Sequence, residues 1–394
     1  MSPRLPPEMA TLVRCVGATV DAGEGADAAG LDWERVADLA EVHGVTPLLR
    51  DGLDELPADA VPAPVRAQVA ERARSTATRN LRLVNELHGV LDALGEADVR
   101  ALPFKGPVLA AFAYGDLSRR SYMDLDLLVH PEDARRAVDR LEALGYEWAE
   151  GTPRRDDAVL LGGPVTLPIV NEYGLRRAGV DLEVRTGVGE PQVPFAVEFE
   201  QLWERRQHVA VGGRELPALA PEDRLLVLAY HGTKHRWHLL KWACDFEAAL
   251  AATDPDWPAL LARARRRNLE RRLLLGVALV EALFDPSVPA VVRRRVELDA
   301  ELGTLADRVL AGYAAGEPVR PSARQRAGFL FRASDSLADR ARVLLFATAL
   351  HPSLPEYRRL PLPGSLHPLY YLLRPARLAY QRVRELVSGG FSWQ

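Results

Sequence analysis

Ser121-Tyr122-Met123-Asp124-Leu125-Asp126-Leu127-Leu128-Val129 is the stretch on which the reading of this chain turns. Acid and leucine alternate and then give way to an unbroken apolar run, the pattern of a strand that starts at a polar edge and ends in a core. Period-two geometry puts Asp124 and Asp126 on one face and Leu125 and Leu127 on the other. Two carboxylates held that close repel, so one keeps its proton unless a divalent cation sits between them. Hard oxygen donors at that separation suit magnesium shared with phosphates.

Working outward, Val99 to Phe104 is expected to be a strand and Pro107 to Tyr114 a helix opened by proline. Between them lies Phe104-Lys105-Gly106-Pro107, where a bare glycine backbone and a helix N-terminus favour an anion and Lys105 adds a point charge. Arg119 and Arg120, just before the carboxylate strand, are candidate phosphate clamps. A helix from Pro131 to Leu144 follows. Thr166 to Tyr173 and Gly179 to Arg185 are expected to be two further strands of the sheet. The second contains Val180-Asp181-Leu182-Glu183-Val184, again acid, apolar, acid. Asp181 is the candidate third carboxylate and Glu183 the reserve. Three carboxylates holding two magnesium ions suit transfer from a triphosphate, with Asp181 on the side of the attacking hydroxyl.

On either side of this sheet the chain has helical periodicity. Residues 8 to 98 are expected to be helical, with a loop from Ala22 to Gly30, and Phe195 to Arg206 is expected to be a helix before a hairpin at Gly212-Gly213. From Pro221 long helices dominate, the first running to about Ala251, and the tail from His351 is expected to form turns and one final helix. The fold class is therefore α+β: a small mixed sheet flanked by N-terminal helices and a larger C-terminal helical region. The expected divisions are residues 1 to 98, 99 to 215 and 216 to 394.

The 394 residues contain only three lysines, Lys105, Lys234 and Lys241, against a background of arginine. A lysine kept in such a chain is wanted for its compact, mobile ammonium. Two of them lie in Tyr230-His231-Gly232-Thr233-Lys234-His235-Arg236-Trp237-His238-Leu239-Leu240-Lys241-Trp242-Ala243-Cys244-Asp245. Positions 231, 234, 238, 241 and 245 recur at three- and four-residue steps, so one helix would carry them as a single polar stripe. Facing the sheet, that stripe would bring His231, Lys234 and Lys241 to a nucleotide, with Asp245 paired to Lys241. His231 and His235 could instead bind zinc, but no glutamate follows His231 as a protease helix requires.

Composition sets the outer limits. Hydrophobic and charged fractions of 48% and 26% are those of a globular protein, and no apolar run is long enough for a membrane span. The N-terminus has no secretory pattern, so the cytoplasm is the expected location. Cys15 and Cys244 are too few for a disulfide framework and are expected to be buried thiols. A net charge of -4 argues against extended nucleic-acid binding unless Arg119, Arg120 and Arg265-Arg266-Arg267 make a local basic face.

The order Lys105-Gly106, Tyr114, Arg120 and Asp124-Leu125-Asp126-Leu127-Leu128-Val129, then Asp181, resembles the DNA polymerase beta-like nucleotidyltransferase superfamily, and within it a bacterial nucleotidyltransferase family. That family also carries a matching His-x-x-x-His-x-Trp-x-x-Leu-Lys-Trp-x-x-Asp segment. Its third-carboxylate segment reads Val-Asp-x-His-Trp, whereas Glu183 and Val184 stand here in place of His and Trp. The resemblance implies a magnesium-dependent enzyme with an NTP co-substrate, ATP by preference. The nucleoside monophosphate would pass to a small-molecule, peptide or protein acceptor that the sequence does not identify. An RNA-directed transferase of toxin type and a catalytically inactive nucleotide-binding scaffold are the alternatives.

Overall fold

In the computed structural model the described residues are 4–17, 30–149, 172–190, 193, 195, 197–316, 322–347, 360, 362–363, 366 and 369–388. The expected loop from Ala22 to Gly30 and the first part of the expected strand from Thr166 therefore lie almost wholly outside them.

Four helices open the chain: α1 (Pro7–Val16), α2 (Trp33–Val42), α3 (Thr46–Asp54) and α4 (Ala63–Glu96). Asp32 caps α2 by accepting from the Arg35 N–H at 2.9 Å, and α3 and α4 begin with a proline in the first turn, where no N–H is needed. The sheet region follows as β1 (Ala101–Pro103), α5 (Gly106–Tyr114), β2 (Asp124–Val129), α6 (Ala134–Ala143), β3 (Glu147–Trp148), β4 (Glu172–Arg177) and β5 (Val180–Arg185). After α7 (Phe199–Glu204), a hairpin of β6 (Gln207–Val211) and β7 (Arg214–Ala218) turns at Gly212-Gly213 as expected. Then come α8 (Pro221–Lys234), α9 (Leu240–Thr253), α10 (Trp257–Arg266), α11 (Glu270–Phe284), α12 (Ala290–Leu298), α13 (Ala300–Ala314), α14 (Ala323–Arg332), α15 (Leu337–Ala347) and α16 (Tyr370–Ser388). The architecture is the α+β arrangement expected from the sequence. Among the described residues no helix is long and apolar enough to cross a membrane.

The five-stranded sheet runs β1-β2-β5-β4-β3, with β2 and β5 parallel and every other pair antiparallel. Its two faces belong to different cores. Leu125, Leu127, Val129, Val180, Leu182 and Val184 pack with Leu83, Leu87 and Val90 of α4 and Val138 and Leu141 of α6. On the opposite face Leu102 and Leu128 join a larger core that the N-terminal helices share with α8, α9 and α11. The polar half of that second face is where the acidic residues emerge. The strand before β5 ends at Arg177 and turns at Ala178-Gly179, four residues later than expected, because both residues take positive φ and close a tight hairpin.

One long helix through residues 221–251 was the expectation, and the chain instead breaks it at residues 235–239. Trp237 is the cause. Its indole, with 0% of its surface exposed, folds back onto Gly232, where even a Cβ would lie 2.5 Å from the ring. The Trp237 N–H donates to the Gly232 carbonyl at 2.7 Å, and Arg236 and Trp237 both adopt left-handed φ to make the turn. Two such residues cost about 1–3 kcal/mol each, which burial of the indole offsets. The Tyr313 hydroxyl donates to the Trp237 carbonyl at 2.5 Å, and Phe246 meets the ring edge to face. The second helix starts where the Leu240 N–H donates to His43 Nδ1 at 3.1 Å.

Candidate active site

β2 and β5 pair in parallel with Asp124 opposite Asp181 and Asp126 opposite Glu183. Residues paired this way point to the same face, and neighbouring strands lie about 4.8 Å apart. The four acidic residues thus lie on one face of the sheet, and alternation along each strand is the whole reason. Lys105 reaches this carboxylate patch from the junction of β1 and α5, its ammonium 2.7 Å from Asp126 Oδ1. Gly106 holds φ at +53°, and a Cβ there would press on the Asp124 carbonyl at 3.4 Å, so the junction sits directly against the carboxylate strand.

The patch is electrostatically uneven. Burial alone would raise the Asp126 pKa, but the Lys105 and Arg185 charges outweigh it and hold the group below the ordinary carboxylate range. Asp124 is pushed up, first by burial and then by Asp126, and Glu183 is pushed up by burial, Asp126 and Glu172. Arg185 binds Glu172 and Glu183, the latter at 2.9 Å, and lies 3.8 Å from Asp126. Its place was readable in principle, two residues beyond Glu183 on the same strand face, but the sequence reading missed it. Glu190, which pairs with Lys234 at 2.7 Å and with Arg326 at 3.0 Å, was missed as well.

The helical side reaches the same place by another route. His231, half-buried near the end of α8, has Lys105, His235, Lys234 and Lys241 as its charged neighbours, and desolvation followed by these charges pushes the imidazole well below the ordinary histidine range. Lys241 is pushed below the ordinary lysine range by burial and Arg120, with Asp245 and Asp124 acting the other way. Lys105 and Lys241 thus act on the carboxylate patch directly, while Lys234 stands beside His231 and pairs with Glu190. His231, His235 and His238 stack around Trp242, with centroid distances of 5.6, 5.0 and 4.7 Å to its ring.

Several expected partners differ. Asp245 does not pair with Lys241. It takes a bidentate ion pair from Arg120, at 2.8 and 2.9 Å, and a hydrogen bond from the Tyr114 hydroxyl at 3.0 Å. The break at residues 235–239 rotates α9 so that Asp245 meets the segment leading into β2. Arg120 is buried and committed to this clamp, with its remaining nitrogen 3.5 Å from the Gly106 carbonyl, so its guanidinium is not open to a phosphate. Arg119 pairs with Asp51 at 2.7 Å. In the arginine run, Arg265 is bound to Glu270 and Arg267 to Asp223. Cys15 and Cys244 are buried free thiols.

Magnesium fits the donor chemistry of the patch. Asp126 is a buried hard oxygen donor beside Asp124, its Oδ1 in contact with the Lys105 ammonium at 2.7 Å. Among the described residues, however, no three His, Cys, Asp or Glu side chains are gathered closely enough to hold a metal as they stand. Asp181, expected as the third carboxylate, lies in register with Asp124, and Arg176 binds both its oxygens, at 2.5 and 2.9 Å.

Compared with known proteins, the chain matches the model of a family described as uncharacterised nucleotidyltransferase over residues 29–285. Among solved structures it is similar to the antibiotic-resistance factor ANT(2'')-Ia, at 15% identity over 48% of this chain and 94% of that one, with a TM-score of 0.33. It is also similar to an antigenic nucleotidyltransferase-like protein from Paracoccidioides brasiliensis, at 17% identity over 59% and 93%, with a TM-score of 0.34. No curated protein matches it.

Proposed function

Since the chain belongs to this nucleotidyltransferase family, we propose that it moves a nucleoside monophosphate from an NTP, ATP being the first to test, to a hydroxyl or other nucleophile of a separate acceptor. The observation that carries the reading is the buried Asp126 beside Asp124 at the start of β2, with Lys105 and Lys241 acting on the pair. Asp124, Asp126 and a carboxylate of β5, Asp181 once free of Arg176, would hold Mg2+. When bound, the ion neutralises triphosphate charge and stabilises the departing pyrophosphate.

The remaining roles belong to the protein. Lys105 and the backbone of Gly106 at the start of α5 bind phosphate oxygens, and Lys105 trades its bond to Asp126 for them. Lys241 and Lys234 supply further positive charge, and neutral His231 offers a hydrogen bond without adding repulsion between cations. The Arg120–Asp245 clamp fixes the helix carrying Lys241 against the strand carrying Asp124. In the reaction the acceptor hydroxyl loses its proton to a carboxylate of β5, its oxygen bonds to the α-phosphorus, the bond from that phosphorus to the bridging oxygen breaks, and pyrophosphate leaves with that oxygen. A second reading, nucleotide binding without turnover, draws on the ion pair that occupies Asp181.

The test is incubation of the full chain with Mg2+ and each labelled NTP against a panel of hydroxylated and amino acceptors. Pyrophosphate release that disappears in Asp124→Asn and Asp126→Asn supports transfer. Nucleotide binding with no release across the panel supports the second reading.

A further inference from the structure

A cavity of about 280 Å³ lies at the entry to β2, lined by residues of α2, α3 and α4 and by Ser121 and Met123. Arg79 of α4 lines it and is tied to the segment that leads into Asp124. Its Nε donates to the Tyr122 carbonyl at 3.2 Å, and its Nη2 donates to the Ser121 hydroxyl at 3.3 Å. Met123, 61% exposed, is the residue next to Asp124. Gly44, elsewhere on the wall, packs on Lys241, where a Cβ would meet the lysine stem at 2.9 Å. The Lys241 charge in turn acts on Asp124. The cavity therefore adjoins the carboxylate patch, and neither Lys105 nor Gly106 lines it.

Charge indicates what it would take. Four charged side chains line the cavity, and three of them are neutralised within the protein: Arg72 pairs with Glu41 at 2.9 Å, and Glu71 pairs with Arg74 at 2.6 Å. Arg79 is the exception. It is half-buried, and its hydrogen-bond partners among the described residues are a carbonyl and hydroxyls, with no carboxylate. A guanidinium that has given up water without gaining an anion is matched by a carboxylate or phosphate, which takes two of its N–H groups at once. The hydroxyls of Ser75, Thr76 and Ser121 suit hydroxyl groups on the same ligand, and the size of the cavity suits a small molecule.

Resting on the transfer reading above, we propose that this cavity is the acceptor subsite. The acceptor is a small hydroxylated acid whose carboxylate or phosphate binds Arg79, which leaves a hydroxyl beside Asp124. The bonds made and broken are those already given for the transfer.

Saturation-transfer NMR on the full chain tests it, with gluconate, glycerate and glycerol 3-phosphate set against their neutral counterparts glucose and glycerol. An anionic member should bind about tenfold or more tighter than its counterpart, a preference lost in Arg79→Gln and partly kept in Arg79→Lys. The same member should support pyrophosphate release with NTP and Mg2+, and Arg79→Gln should raise its KM about tenfold while kcat falls less. Circular dichroism should be alike for the parent and both variants, because Arg79 leaves no buried carboxylate behind. No preference for the anionic members, or a preference that survives in Arg79→Gln, overturns the inference. So does pyrophosphate release with neutral acceptors alone, which leaves the transfer reading standing. Arg79-dependent binding without pyrophosphate release overturns the transfer reading and the acceptor role with it.

Discussion

The carboxylate patch on β2 and β5 and the histidine-lysine segment of α8 and α9 meet at one place but are assembled by different physics. In the first, position follows from local alternation: once Asp124-Leu125-Asp126 is a strand, the side-chain faces are set, and parallel pairing brings Asp181 and Glu183 alongside. In the second, a helical repeat at positions 231 to 245 is overridden by one buried tryptophan. The Trp237 indole reaches Gly232, and the helix reverses and restarts at Leu240. Lys241 still approaches the patch, but Asp245 ends on Arg120. A strand's pattern can carry a site by itself; a helix's pattern holds only as far as packing lets the helix continue.

The sharpest way to break the comparison is to remove the half that depends on alternation. Asp126→Asn should lower turnover about a thousandfold or more, with circular dichroism unchanged, measured as pyrophosphate release. The clamp joining the two halves comes next. Arg120→Met leaves Asp245 buried without its cation and should cost about 3–5 kcal/mol in urea unfolding, much of it recovered by adding Asp245→Leu.

Acid probes the helical half through His43, whose pKa burial lowers to about 4. An unfolded histidine titrates near pH 6.5, so between those values the unfolded state binds more protons than the native state. Stability should thus be full above about pH 6.5 and fall on acidification toward pH 4, by up to about 3 kcal/mol from this residue. Neutral His231 and His235 add to the same trend, their pKa values also being lowered by burial. Thermal melts across this range should be flatter for His43→Gln, and an unchanged slope would remove His43 from the account. The smallest effect is expected at the turn: Gly232→Ala should cost about 1–3 kcal/mol by crowding the Trp237 ring. It should raise KM for the NTP more than it lowers kcat, because it shifts Lys234 and Lys241 and leaves Asp126 in place.

What the sequence made legible divides along the same line. The strand at Asp124, the helix opened by Pro107, the hairpin at Gly212-Gly213 and the α+β class all follow from short-range signals: alternation, proline at a first turn, paired glycines. The partners of Asp245, Arg119 and Asp181 depended on contacts between residues tens of positions apart or across a hairpin whose turn was misplaced. His43 gave no signal, because a lone histidine between helices becomes informative only once Leu240 and Gly316 are beside it. Arg185 was within reach, since its two-residue spacing from Glu183 puts it on the acidic face.

The account rests on the two halves forming one magnesium-dependent nucleotide site, and titration of NTP into the protein by calorimetry, with and without Mg2+, tests it most directly. It predicts that the wild-type chain binds NTP about tenfold or more tighter with Mg2+ present, and that Asp126→Asn loses this gain while Lys241→Ala weakens binding under both conditions. Equal affinity with and without Mg2+, unchanged in Asp126→Asn, would contradict it.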